Sequence, residues 1–101
     1  MGLDVVELVI RVEEEFALDL PDDECGQVRT VGDLYRLVLK KLNLDYLPAV
    51  EVERNPAPDR RKPWITASVW YTLKDIIVDQ LQVNEDDIRE DSTFLGDLGA
   101  D

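Results

Sequence analysis

At 101 residues and 45% hydrophobic content the chain supports one small core and at most one site. Its 23 acids against 11 bases give a net charge of -12, a surface that repels nucleic acid and anionic membrane and attracts basic protein patches. There is no histidine and the single cysteine, Cys25, reads as incidental, so an intrachain disulfide and a cysteine metal cluster are excluded and no reactive-thiol context supports an enzyme.

Val5, Leu8, Val9, Val12 and Phe16 recur at three- and four-residue steps with Glu7, Arg11, Glu14 and Glu15 between them, which predicts an amphipathic helix of about four turns. Pro21 opens a short helix through Asp22, Asp23 and Glu24, whose carboxylates favour an N-terminal dipole, and Gly26 keeps it short. Thr30 starts a third helix, with Asp33 completing a variant capping box, Val31, Leu34, Tyr35, Val38 and Leu42 as its stripe, and Lys40 and Lys41 at its end. A fourth helix begins with Thr66 or Ser68 as N-cap and carries Val69, Trp70, Leu73, Ile76, Ile77 and Leu81 on one face. The loop from Val83 to Asp101 follows, with Phe94, Leu95 and Leu98 as anchors. The expected fold is all-α, a four-helix bundle of three longer helices and one short.

Four of the five prolines, Pro48, Pro56, Pro58 and Pro63, fall between these helical blocks, in a segment expected to hold no regular helix. The chain therefore divides into residues 1–47, a Pro-rich linker over 48–65, and residues 66–101, together forming one domain. No run approaches the roughly 20 apolar residues of a membrane span, and Met1 leads straight into an amphipathic pattern, so the reading is cytoplasmic. The acids Asp86, Asp87, Glu90 and Asp91 lack EF-hand spacing and read as solvated, with no metal expected. Trp64 and Trp70 read as linker and core anchors, not as a stacking platform.

The stretch Leu3 to Leu39, LDVVELVIRVEEEFALDLPDDECGQVRTVGDLYRLVL, resembles the second, third and fourth helices of bacterial acyl carrier proteins. The segment from Leu73, with DIIVDQLQVNEDDIREDSTFLGDLGAD, resembles the first helix and first loop of the same family. In the family DLGAD, a serine and LD follow one another, whereas here DLGAD ends the chain and LDVVEL opens it. The resemblance implies a carrier bundle with its halves in circularly permuted order. Because the family's two chain ends lie at one end of the bundle, a linker of about 20 residues spans them easily. The same order also fits a domain-swapped homodimer, or a piece of a longer array of carrier domains.

The family's serine carries 4′-phosphopantetheine, placed where a helix N-terminus favours the phosphodiester. Its position here is Gly2, flanked by Leu3 and, across the break, Asp101, so no attachment residue and no cofactor are expected on this chain. Ser68 and Ser92 lack the flanking motif and are not expected to be modified. The family's docking acids and their apolar neighbours map to Asp4, Val6, Glu7, Ile10, Glu13 and Glu14, which would face basic surfaces on acyl-handling enzymes or a phosphopantetheinyl transferase. Arg11 stands where the family commonly has a small neutral residue. The resemblance implies a non-enzymatic carrier-type protein of fatty-acid or polyketide biosynthesis. The other reading is a structural or regulatory interaction module that kept the bundle and lost the chemistry.

Overall fold

The computed structural model describes residues 3–54 and 63–99, without the side chains of Leu3 and Asp4. Gly2, Asp101, the Asp4 side chain and linker residues Pro56 and Pro58 lie outside the described residues. The regular elements of the described residues are all helical: α1 (Leu3–Phe16), α2 (Asp22–Cys25), α3 (Val31–Lys41), α4 (Ala49–Val52), α5 (Thr66–Leu81) and a 3₁₀ turn at Glu85–Asp87. The expected bundle of three long helices is present, with two one-turn helices where one was expected.

Period and caps account for the long helices. Val5, Leu8, Val12 and Phe16 are buried along α1, and Val31, Leu34, Tyr35, Val38 and Leu39 along α3. At the entry to α3, Thr30 Oγ1 accepts the Asp33 N–H at 3.1 Å and Asp33 Oδ2 accepts the Thr30 N–H at 3.2 Å, a reciprocal capping box. Asp33 also accepts the Arg29 N–H at 3.0 Å. Burial opposes its charge, but these backbone donors and the Arg36 guanidinium outweigh it and hold the carboxyl below its ordinary range. All three long helices end on left-handed residues: Ala17 (φ 54°) lets the Leu18 N–H reach Glu13 O at 3.0 Å, Asn43 (φ 59°) lets the Leu44 N–H reach Leu39 O at 2.9 Å, and Gln82 (φ 57°) closes α5.

Helix α5 packs against α1, α3 and α4. Its Val69, Trp70, Leu73 and Ile77 are fully buried, so residues from both ends of the chain share one core. The Trp70 and Tyr35 rings meet edge to face at 5.0 Å, a geometry that aromatic quadrupoles favour. The loop after α5 closes over the core through Ile88, Phe94 and Leu98.

Three local expectations are corrected. The proline segment contains helix α4. Pro48 stands just ahead of its first turn, where a missing N–H costs nothing, and Ala49 and Val52 are buried beneath it. The residue at the N-cap of α5 is Ile65, ahead of both Thr66 and Ser68. Ser68 Oγ reaches back to accept the Ile65 N–H at 3.0 Å, and the Thr66 hydroxyl donates to Asp45 O at 2.6 Å. Leu95 is no anchor and stays 69% exposed, because Asp97 Oδ2 accepts the Thr93 N–H at 2.8 Å and Thr93 Oγ1 accepts the Gly96 N–H at 3.1 Å. That tight turn puts Leu95 at its apex while Phe94 and Leu98 point inward.

Candidate functional site

One face of α1 points away from the core and carries most of the residues expected to dock partners. Val6 and Ile10 are 38% and 47% exposed, and Glu7 and Glu14 are exposed beside them. The i, i+4 spacing places Val6, Ile10 and Glu14 in one row. Glu13 is different: it is half-buried and its Oε2 accepts the Leu20 N–H at 3.0 Å, fixing the connection to α2. Glu7 accepts from Gln80 Nε2 at 2.9 Å. Arg11 leans on α5, with Nη1 2.6 Å from Asp79 Oδ2 and 3.4 Å from Gln80 Oε1.

Beside the start of α1 lies an open groove of about 540 Å³, walled by Val5, by Val28 and Arg29 before α3, and by Phe94 and Leu95 of the last loop. The α3 entry is sewn to that loop by backbone hydrogen bonds, Val31 N–H to Ser92 O at 2.9 Å, Gly32 N–H to Glu90 O at 2.8 Å and Phe94 N–H to Arg29 O at 3.1 Å. Gly32 is required there, since a Cβ would stand 2.7 Å from Glu90 O. Below the groove, the space bounded by Leu8, Cys25, Leu34 and Phe94 is only about 10 Å³, room for about one water. Cys25 Sγ donates to Leu20 O at 3.4 Å, and burial, reinforced by the Glu13 and Asp22 carboxylates, pushes its thiol up, which suits an unreactive packing residue.

Ser68 and Ser92 are the only serines in the sequence, and they are 0% and 6% exposed. Ser68 Oγ donates to Ile65 O at 2.9 Å, and Ser92 Oγ donates to Asp87 O at 2.9 Å while accepting the Arg89 N–H at 3.0 Å. Each therefore serves a helix start or a turn. Among the described residues no group of three or more His, Cys, Asp or Glu side chains is arranged to hold a metal ion. Nor is any described helix long and apolar enough to cross a membrane.

Two networks have no sequence-level signal. Glu53, just after α4, accepts from Trp70 Nε1 at 3.0 Å and from Lys74 Nζ, and Lys74 also pairs with Glu85 at 3.2 Å. Burial opposes both charges, but the mutual hydrogen bonds win, holding the Glu53 carboxyl below its usual range and the Lys74 amine above its own. Glu90, read from sequence as one of a solvated cluster, is half-buried and bonds Tyr46, Ala49 and Arg36. The two tryptophans take the anchoring places expected of them, Trp70 in the core and Trp64 against Phe16 at 4.5 Å between rings.

No family model matches the chain, and no solved structure matches it. Among curated proteins it is similar to the acyl carrier protein of Wolinella succinogenes, 50% identical over 37 residues that make up 37% of this chain and 49% of that protein. The acyl carrier protein of Picosynechococcus sp. is 46% identical over 40 residues, 40% of this chain and 49% of the relative. That of Sulfurovum sp. is 47% identical over 37 residues, 37% and 49%. The chain thus spans about half the length of the curated relatives it matches.

Proposed function

We propose that this acyl-carrier-protein-like chain is a carrier-type bundle with its halves in permuted order, and that it docks to basic-surfaced acyl-handling enzymes or a phosphopantetheinyl transferase through the outer face of α1. The observation that carries this reading is the exposed row Val6, Ile10 and Glu14 with Glu7 beside it, an acidic and apolar strip of the kind that steers encounter with a cationic patch. It lies on the helix that opens the chain and also lends Val5 to the groove. The permuted order is supported by the packing of α5 on α1 and α3, which joins residues from both ends of the chain in one core.

Gly2 offers no oxygen for a phosphodiester, and both serines are buried and hydrogen-bonded. This chain is accordingly proposed to dock without carrying the thiol arm, in the cytoplasm and in the setting of fatty-acid or polyketide biosynthesis. The same absence favours a second reading, a regulatory interaction module that occupies carrier-binding surfaces. Both readings predict competition. The chain should slow phosphopantetheine transfer to an authentic acyl carrier protein, with the inhibition fading as salt screens the contact. Intact mass of the chain after coenzyme A and transferase should not change, and Gly2→Ser should gain one phosphopantetheine. Absence of competition at low salt would overturn the docking claim. A mass gain on the unaltered chain would overturn the claim that it lacks an attachment site.

A further inference from the structure

Glu90 joins three segments that are far apart in sequence. Its carbonyl accepts the Gly32 N–H at 2.8 Å in the first turn of α3. Its carboxylate accepts the Tyr46 hydroxyl at 2.7 Å and the Ala49 N–H, both between α3 and the end of α4, and lies 3.4 Å from Arg36 Nη1. Charged acceptors make stronger hydrogen bonds than neutral ones, and two donors converging on one carboxylate fix its position. Four and five residues further on, Phe94 and Leu95 form a wall of the groove.

The segment that Glu90 grips is not a slack tether. Tyr35 Oη donates to Leu47 O at 2.7 Å, Thr66 Oγ1 donates to Asp45 O at 2.6 Å, and Ala49 and Val52 are buried. Loop and linker are therefore each fixed to the bundle, and Glu90 bonds the one directly to the other, whereas Lys74 reaches Glu53 and Glu85 from α5.

We propose that Glu90 is a mechanical tie between linker and groove: displacing residues 46–49 loosens the loop that carries Phe94 and Leu95, and displacing that loop slackens the linker. The coupling runs both ways because it is a shared free energy. It stands apart from any carrier role, since it concerns the backbone openings of this chain alone. If Glu90 served only to pair with Arg36, linker and loop would open independently.

Hydrogen exchange on the full chain, followed by mass spectrometry, separates these cases. Glu90→Ala removes the acceptor of both the Tyr46 hydroxyl and the Ala49 N–H and should speed exchange in residues 44–52 and 92–98 together by about tenfold or more. Tyr46→Phe removes a single hydroxyl donor and leaves the carboxylate and ring in place, and it should speed both segments by about threefold. Asp86→Asn, at an exposed acid of the same connection, should alter neither segment. A rise confined to residues 44–52, with 92–98 unchanged, overturns the tie. If Glu90→Ala does not fold, Tyr46→Phe alone decides in the same way.

Discussion

Lys74→Met tests whether the proline segment is fastened to the bundle by chemistry or merely lies against it. The Lys74 side chain is 8% exposed and its Nζ bonds Glu53 and Glu85, with the Trp70 and Tyr71 rings 5.9 and 5.7 Å away. Methionine matches the volume and keeps the stem packing, so the loss is confined to the ammonium and its partners. A hydrogen bond between charged groups contributes about 1.5–3 kcal/mol. Here the acceptors Glu53 and Glu85 are 38% and 62% exposed, so water replaces part of what they lose. The expected destabilisation is therefore about 1–2 kcal/mol. With a urea m-value of about 1 kcal/mol/M for so small a protein, the midpoint followed by tryptophan fluorescence should fall by about 1–2 M. Glu53→Gln should cost less, because its amide still accepts from Trp70, and the double variant should fall short of the sum because the two residues interact directly. An unchanged or raised midpoint for Lys74→Met would show that buried hydrophobic contact alone holds α4, as it can when an ion pair is replaced by apolar volume.

Three further outcomes follow from the same contacts. Gly32→Ala should lower thermal stability by about 1–3 kcal/mol, because the new Cβ meets Glu90 O at 2.7 Å and that oxygen belongs to backbone. Leu98→Ala should cost about 2–4 kcal/mol in urea, while Leu95→Ser should stay within about 0.5 kcal/mol, since one side chain is 5% exposed and the other 69%. Stability should also fall on acidification. Glu53 and Asp33 both titrate below their ordinary values in the fold, so their contributions are complete above the unfolded carboxylate range and vanish as pH drops through the lowered folded values. The urea midpoint measured from pH 7 to pH 3 should decline less steeply in the Glu53→Gln, Asp33→Asn double variant.

Period and cap chemistry made the long helices legible, because α1 and α3 each bury one stripe, α5 buries a broad face that includes its apolar row, and the Thr30–Asp33 box forms as its residues require. The outward positions of Val6, Glu7, Ile10 and Glu14 on α1 were also legible, through the helical period. What stayed hidden depends on partners distant in sequence. Glu53 meets Lys74 across 21 residues and Glu90 meets Ala49 across 41, so local composition shows only another acid in an acidic chain. Helix α4 is hidden by proline density, which argues against helix on average, whereas Pro48 stands at its N-cap, where a missing N–H is harmless. The exposure of Leu95 is not legible from its hydrophobicity, which does not reveal which residue a turn lifts to its apex.

The acids on α1 do not offer equal tests of docking, and the reason lies in how each is held. Glu13 accepts the Leu20 N–H and is half-buried, so reversing its charge breaks the connection to α2 and weakens binding and folding together. Arg11, the family departure, is drawn to Asp79 at 2.6 Å, which places its guanidinium against α5 and leaves the strip of Val6, Ile10 and Glu14 acidic. Glu14 lies on that strip and is exposed. Glu14→Lys should therefore leave the urea midpoint within about 0.5 kcal/mol of the unaltered chain while weakening competition against an authentic acyl carrier protein, most of all at low salt. Equal competition by Glu14→Lys and the unaltered chain at low salt would move the docking surface off α1, whatever the fold resembles.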